Sequence, residues 1–126
     1  MPTSRSRLGV HEADLAAVAV RALLDPGHDR RRHTVTGPQW LTMAEQARII
    51  GEVIGRPVRW RTQPRAEALA ALTAAGWPAG YAEVALRVQE QLVHAPAAVT
   101  GTVAEITGAP ARTYRQWVTD HAEMFT

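Results

Sequence analysis

The residues of this chain that could do chemistry are few, and most stand at spacings that argue against it. His11-Glu12-Ala13-Asp14 puts an imidazole and two carboxylates within four positions. A metal or acid–base cluster is one reading. On a helix, however, His11 and Glu12 point about 100° apart, and the pair of histidines one turn apart that zinc favours is missing. The segment reads instead as the start of a helix, where carboxylates face the positive end of the helix dipole. His28, His33, His94 and His121 have no ligand spacing, so no metal site is expected. Arg30-Arg31-Arg32 could grip a phosphate through paired guanidinium donors. One short basic run without aromatic partners or a wider patch is better read as a solvated loop, and nucleic acid is not an expected partner. No Ser–His–Asp arrangement or paired-carboxylate site follows from spacing, and no catalytic residue is assigned.

Trp60, Trp77 and Tyr81 are the candidates for binding a small molecule. Trp77 sits in a Gly76-Trp77-Pro78 break, where a large ring can cover a cavity mouth, and Tyr81 follows one helical turn on. The competing role for all three is core packing, which large aromatics usually serve.

The elements that would position these residues can be read from periodicity and punctuation. The first helix is expected over about 12–24, with Leu15, Val18, Ala19, Ala22 and Leu23 as its apolar stripe. Asp25-Pro26-Gly27 ends it. Short strands are expected near Val10, at 33–36 and at Val58–Thr62. Between the last two, Thr42 and Glu45 have capping-box spacing, Gly55 suits a left-handed helix end, and Pro57 cannot continue the helix. A third helix starts at Pro64. A fourth spans about 79–95, with Tyr81, Val84, Ala85, Val88 and Leu92 on one face. Thr102–Glu105 and Thr113–Gln116 read as two further capping boxes. The last helix carries Tyr114, Trp117, Val118, His121 and Phe125 on one face. The strand–helix–strand pattern predicts an α/β, helix-rich chain of about five helices and two or three short strands. The strands near Val10 and at Val58–Thr62 are expected to pair in a small parallel sheet.

Composition narrows the function classes. The 126 residues are 46% hydrophobic, which suits a globular chain. Residues 1–9 read as a flexible leader without the apolar core of a signal peptide, and 10–126 as one lobe. No apolar run approaches the roughly 20 residues of a membrane span. There is no cysteine, hence no thiol chemistry, and a cytoplasmic location is expected. The isoelectric point near 9.9 reflects arginine chemistry more than net charge. All 14 basic residues are Arg, and net charge is only +2.

Five segments recur in a telling order: Val10-His11-Glu12-Ala13-Asp14-Leu15-Ala16, Thr36-Gly37-Pro38, Leu41-Thr42-x-x-Glu45-x-Ala47, Gly55-Arg56-Pro57-Val58 and Tyr114-Arg115-Gln116-Trp117-Val118. Together they resemble the C-terminal half of NmrA-like NAD(P)-binding proteins, a branch of the atypical short-chain dehydrogenase/reductases. The resemblance covers nearly all of residues 10–125. It implies a partial Rossmann-type protein, the substrate-side lobe, in which the helical region of Trp77 and Tyr81 faces the substrate cleft. In that family the N-terminal half carries the Gly-x-x-Gly-x-x-Gly loop and any catalytic Tyr and Lys. This sequence has neither that loop nor any Lys. NADP or NAD is thus implied only for the complete family fold, and no cofactor site or independent activity is expected of these residues. Expected partners are the family's N-terminal half or a second copy of the chain, and a small-molecule ligand. The alternative is a helix-rich interaction or regulatory module that binds a protein through the face that, by the resemblance, would otherwise pack on the N-terminal half.

Overall fold

The structure, a computed structural model, describes residues 6, 7, 9–94 and 98–126. Six α-helices account for most of it. They are α1 (Glu12–Leu24), α2 (Met43–Ile54), α3 (Arg65–Ala74), α4 (Ala79–His94), α5 (Thr102–Thr107) and α6 (Tyr114–Asp120), with a final 3₁₀ turn at Ala122–Phe125. The helix-rich, partial Rossmann-type expectation holds. The small parallel sheet does not. The described strands are β1 (Ser6–Arg7) and β2 (Leu41–Thr42), and they pair antiparallel, Ser6 opposite Thr42 and Arg7 opposite Leu41.

Each displaced strand has a physical reason. Val10 forms no ladder, because the chain turns directly into the His11 cap of α1. Val58–Thr62 joins no ladder among the described residues, and Val58 and Trp60 are more than a third exposed. Residues 33–36 are not a strand either. Their polar groups are taken by threonine hydroxyls. Thr100 and Thr102 each donate to the Thr34 carbonyl at 2.7 Å, and the Thr100 N–H donates to Thr36 Oγ1 at 2.9 Å.

The residues fall into two compact units. One is built from Ser6–Arg59 and the segment after α4. Its core joins Leu41, Ile49 and Val118, with Ile50, Val53, Tyr114, Trp117 and Phe125 packed against them. Val118 is fully buried. The stripe read on the last helix is therefore its packing face. The ends of α2 and α6 follow from sequence chemistry. Thr42 Oγ1 accepts from the Glu45 N–H at 3.1 Å, and Glu45 Oε2 accepts from the Thr42 N–H at 2.7 Å. Thr113 and Gln116 repeat this at α6. Gly55 closes α2 at φ +73° and Gly108 closes α5 at φ +75°. The third box fails. Gly101 is the N-cap of α5, and the Thr102 hydroxyl is spent on Thr34.

On α1 the buried face is Asp14 and Val18, continuing the buried His11. Leu15, Val20, Leu23 and Leu24 are exposed, Leu23 at 85%. Only Val18 of the stripe read from sequence is buried.

The second unit runs from Trp60 through α4 and centres on the α3–α4 hairpin. Gly76, at φ +95°, makes the turn, and the Trp77 N–H bonds back to the Leu72 carbonyl at 3.1 Å. On α4 the buried residues among those described are Ala82 and Leu86, one turn apart; the side chain of Leu92 lies outside the described residues. Tyr81, Val84 and Val88, expected on the packing face, are exposed. The small Ala82 lets the helices approach where Tyr81 could not.

Candidate functional site

A groove of about 470 Å³ lies in the α3–α4 unit. Ala68, Ala71, Leu72 and Leu86 give it an apolar floor, and Trp60, Thr62 and Gln63 form part of its wall. Its cations are already committed. Arg65 bridges Glu90 at 2.9 Å and Glu83 at 3.0 Å, tying α3 to α4, and Arg61 pairs with Glu67 at 2.7 Å. Arg65 and then its charge hold the Glu83 carboxyl below the ordinary carboxylate range. What the groove offers a ligand is an indole, an apolar floor and neutral hydrogen-bonding groups. That suits a partly apolar molecule. Of the three aromatic candidates, Trp60 lines this groove. Trp77 and Tyr81 do not, and stand 48% and 69% exposed at the α3–α4 turn.

The first unit holds a second constellation. His11 is the N-cap of α1. Its Nδ1 accepts the Ala13 N–H at 3.1 Å, and its Nε2–H donates to Asp120 at 2.9 Å. His121 is the C-cap of α6. Its Nδ1–H donates to the Trp117 carbonyl at 2.8 Å, and its Nε2 meets the Glu12 carboxylate. The other Glu12 oxygen accepts the Trp117 indole N–H at 2.8 Å. The rings of Tyr114, Trp117 and His121 stack in succession. The Trp117 carbonyl and then Glu12 raise the His121 pKa above its ordinary value. The backbone N–H of Glu12, the Trp117 indole and the two imidazoles hold the Glu12 carboxyl below its own. Spacing could not show this cluster, because His121 lies 110 positions from His11.

The two shifts set a pH window. A raised His121 pKa gives stability that is complete below the ordinary value of 6.5 and lost as pH rises through the folded value. A lowered Glu12 pKa gives stability that is complete above 4.5 and lost as pH falls through its folded value. The clamp is therefore fully present between these two ordinary values. In chelator-treated buffer the urea midpoint should fall from pH 6 to pH 9, and His121→Gln should flatten that slope. An unchanged slope in the variant would assign the pH dependence elsewhere.

With this geometry in hand, the relatives can be placed. No protein-family model matches the chain. It is 43% identical over 117 residues to a (4-alkanoyl-5-oxo-2,5-dihydrofuran-3-yl)methyl phosphate reductase of Streptomyces griseus, which covers 92% of this chain and 41% of that protein. It is 38% identical over 130 residues to an NAD(P)H azoreductase of Xenophilus azovorans, covering 99% and 44%. Among solved structures, a triphenylmethane reductase of Citrobacter sp. superposes with a TM-score of 0.76 at 21% identity, over 96% of this chain and 42% of that one. An NADPH-dependent quinone oxidoreductase of Escherichia coli, solved with NADPH, gives 0.76 at 21%, over 98% and 43%. The chain is similar to part of these reductases and shares their fold, which bears out the resemblance to the C-terminal half of NmrA-like, atypical short-chain dehydrogenase/reductase proteins. It spans about two fifths of the length of the curated relatives it matches. These relatives are reductases, and they do not favour the free-standing interaction module.

The starts of α1, α2 and α3 do not suit the pyrophosphate of a dinucleotide. A pyrophosphate rests on free N–H groups at a helix start, reached through a Gly-rich loop. Here the first turns of α1, α2 and α3 carry Glu12 and Asp14, Glu45, and Glu67. The starts of α1 and α2 are also already capped by His11 and Thr42.

Proposed function

We propose that residues 10–126 are the substrate-side lobe of an NAD(P)-dependent reductase whose electron acceptor is a flat, conjugated organic molecule. The observation that carries this is the α3–α4 groove, with its apolar floor, the Trp60 indole and no uncommitted arginine among its wall residues. Three similar proteins are named for reducing azo compounds, triphenylmethane dyes and quinones, all conjugated acceptors. Trp60 stacks on the acceptor from within the groove. Trp77 and Tyr81 offer further ring faces at the hairpin turn. The lobe binds and orients the acceptor. The hydride donor sits on the dinucleotide-binding half of the family fold, in the same polypeptide or a separate one. The exposed Leu15, Val20, Leu23 and Leu24 of α1 supply an apolar face for that half, or for a second copy of the chain. No described helix is long and apolar enough to cross a membrane, and a cytoplasmic location goes with this reading.

Titration of the chain with a naphthoquinone and with a triphenylmethane dye, followed by tryptophan fluorescence, tests the proposal. Saturable quenching is expected. Trp60→Ala should weaken it about three- to tenfold, the loss of one aromatic contact, with smaller losses for Trp77→Ala and Tyr81→Ala. Calorimetric titration with NADH and NADPH should be flat. Quenching that is unsaturable, or indifferent to all three substitutions, would overturn the proposal.

A further inference from the structure

We infer that His11, Glu12 and His121 form a binding site for one divalent transition-metal ion of the zinc class. One donor atom from each of the three lies within 4.8 Å of the others. His11 Nδ1 and Glu12 Oε2 are 3.7 Å apart, close to the roughly 3.3 Å edge that metal–nitrogen bonds of about 2.0–2.1 Å give a tetrahedral site. His121 Nε2 already touches the second Glu12 oxygen. Two nitrogens and a carboxylate oxygen are the ligand types that zinc takes when it keeps a fourth position for water.

The surroundings are what distinguish this cluster from a chance meeting of polar groups. A metal-binding imidazole usually donates its other N–H to a carboxylate or a backbone carbonyl, which fixes the ring and its tautomer. Both histidines do so. His11 turns its Nε2–H to Asp120, and its Nδ1, which accepts the Ala13 N–H, stands 3.7 Å from Glu12 Oε2. His121 turns its Nδ1–H to the Trp117 carbonyl and leaves Nε2 facing Glu12. The Trp117 indole holds the carboxylate between them.

The ligands also sit on fixed frames. His11 and Glu12 open α1, and His121 closes α6, whose terminal carbonyls favour a cation. His11 is 7% exposed, while Glu12 is open to solvent. The exposed Glu12 carboxylate gives the ion access from solvent. Coordination replaces the His121 Nε2 proton and takes the His11 lone pair from the Ala13 N–H.

Cobalt(II) and zinc(II) added to the chelator-treated chain test this site. One equivalent of cobalt should bind with the visible absorption of a four-coordinate ion, and zinc should displace it. Glu12→Gln and His121→Gln leave the buried His11 in place and each should weaken binding at least tenfold. His28→Gln and His33→Gln should leave it unchanged, although those two rings also touch, at 3.1 Å. Circular dichroism of each variant separates loss of the site from loss of the fold. No stoichiometric binding at 0.1 mM metal, binding indifferent to Glu12→Gln and His121→Gln in folded protein, or binding abolished by His33→Gln would overturn the inference.

Discussion

Asp14→Ala is expected to lower the stability of the first unit by about 3 kcal/mol, the cost of stranding the partners of a buried carboxylate. Asp14 is 3% exposed. Its Oδ2 accepts the Arg112 backbone N–H at 2.6 Å, and its Oδ1 accepts from the Arg112 guanidinium at 2.5 Å. One side chain thus fixes both the main chain and the side chain of the residue just before the Thr113 cap of α6, and joins α1 to it. Alanine removes both acceptors. The Arg112 side chain is 45% exposed and regains water, which holds the loss below that of a fully enclosed pair. The backbone amide has less recourse. Asp14→Asn restores one acceptor but turns an amide N–H₂ toward one of the two donors, so about 2 kcal/mol should still be lost. Arg112→Ala leaves the carboxylate buried with only the amide, and the double variant should fall short of the summed losses by about 1 kcal/mol or more. Urea midpoints of the four proteins measure this. An Asp14→Ala variant within about 0.5 kcal/mol of the parent, the range of ordinary surface changes, would mean that the pair contributes nothing net.

That pair also marks where the sequence stops being informative. Features set by neighbours a few positions apart were legible. The Thr42–Glu45 and Thr113–Gln116 boxes form as their spacing implies, and Gly55 closes α2 in the left-handed conformation. Thr102–Glu105 has the same spacing and fails, because the Thr34 carbonyl competes for the Thr102 hydroxyl from 68 positions away. Periodicity likewise identified apolar stripes without saying what would cover them. The stripe of α6 meets Leu41 and Ile49 and is core, whereas Leu15 and Leu23 of α1 meet solvent. The β-rich runs at 33–36 and Val58–Thr62 have strand composition but no ladder partner among the described residues. Asp14 with Arg112, and His11 with His121, each join chain segments about a hundred positions apart, and no local spacing encodes such a meeting. For the candidate sites, the aromatic residues could be named from sequence. The groove that takes in Trp60 and passes by Trp77 and Tyr81 could not.

Gly37→Ala is the other substitution expected to have a large effect, and its cause is close approach, not backbone conformation. Gly37 has no positive φ. A Cβ built on it would stand 2.0 Å from the Gly9 carbonyl oxygen and 3.1 Å from the Gly9 carbonyl carbon. Real Cβ atoms do not occupy such positions, so one of two backbones must move. Neither moves freely. Gly9 leads through Val10 into the His11 cap of α1, and Gly37 follows Thr36, whose hydroxyl accepts the Thr100 N–H. The strain therefore spreads into both the α1 cap and the threonine network, and a loss of about 3 kcal/mol, at the upper end of overpacking costs, is expected. Gly9→Ala is the informative partner experiment. A Cβ on Gly9 meets nothing within 4 Å, so the same contact tolerates a methyl group from one side only. Gly27→Ala adds a further contrast. Gly27 has open space around it but sits at φ +94°, and should cost about 1 kcal/mol through backbone strain alone. Thermal and urea unfolding of the three variants should rank them Gly37, then Gly27, then Gly9. A Gly37→Ala protein as stable as Gly9→Ala would show that the Thr36-Gly37-Pro38 segment is not pressed against the approach to α1.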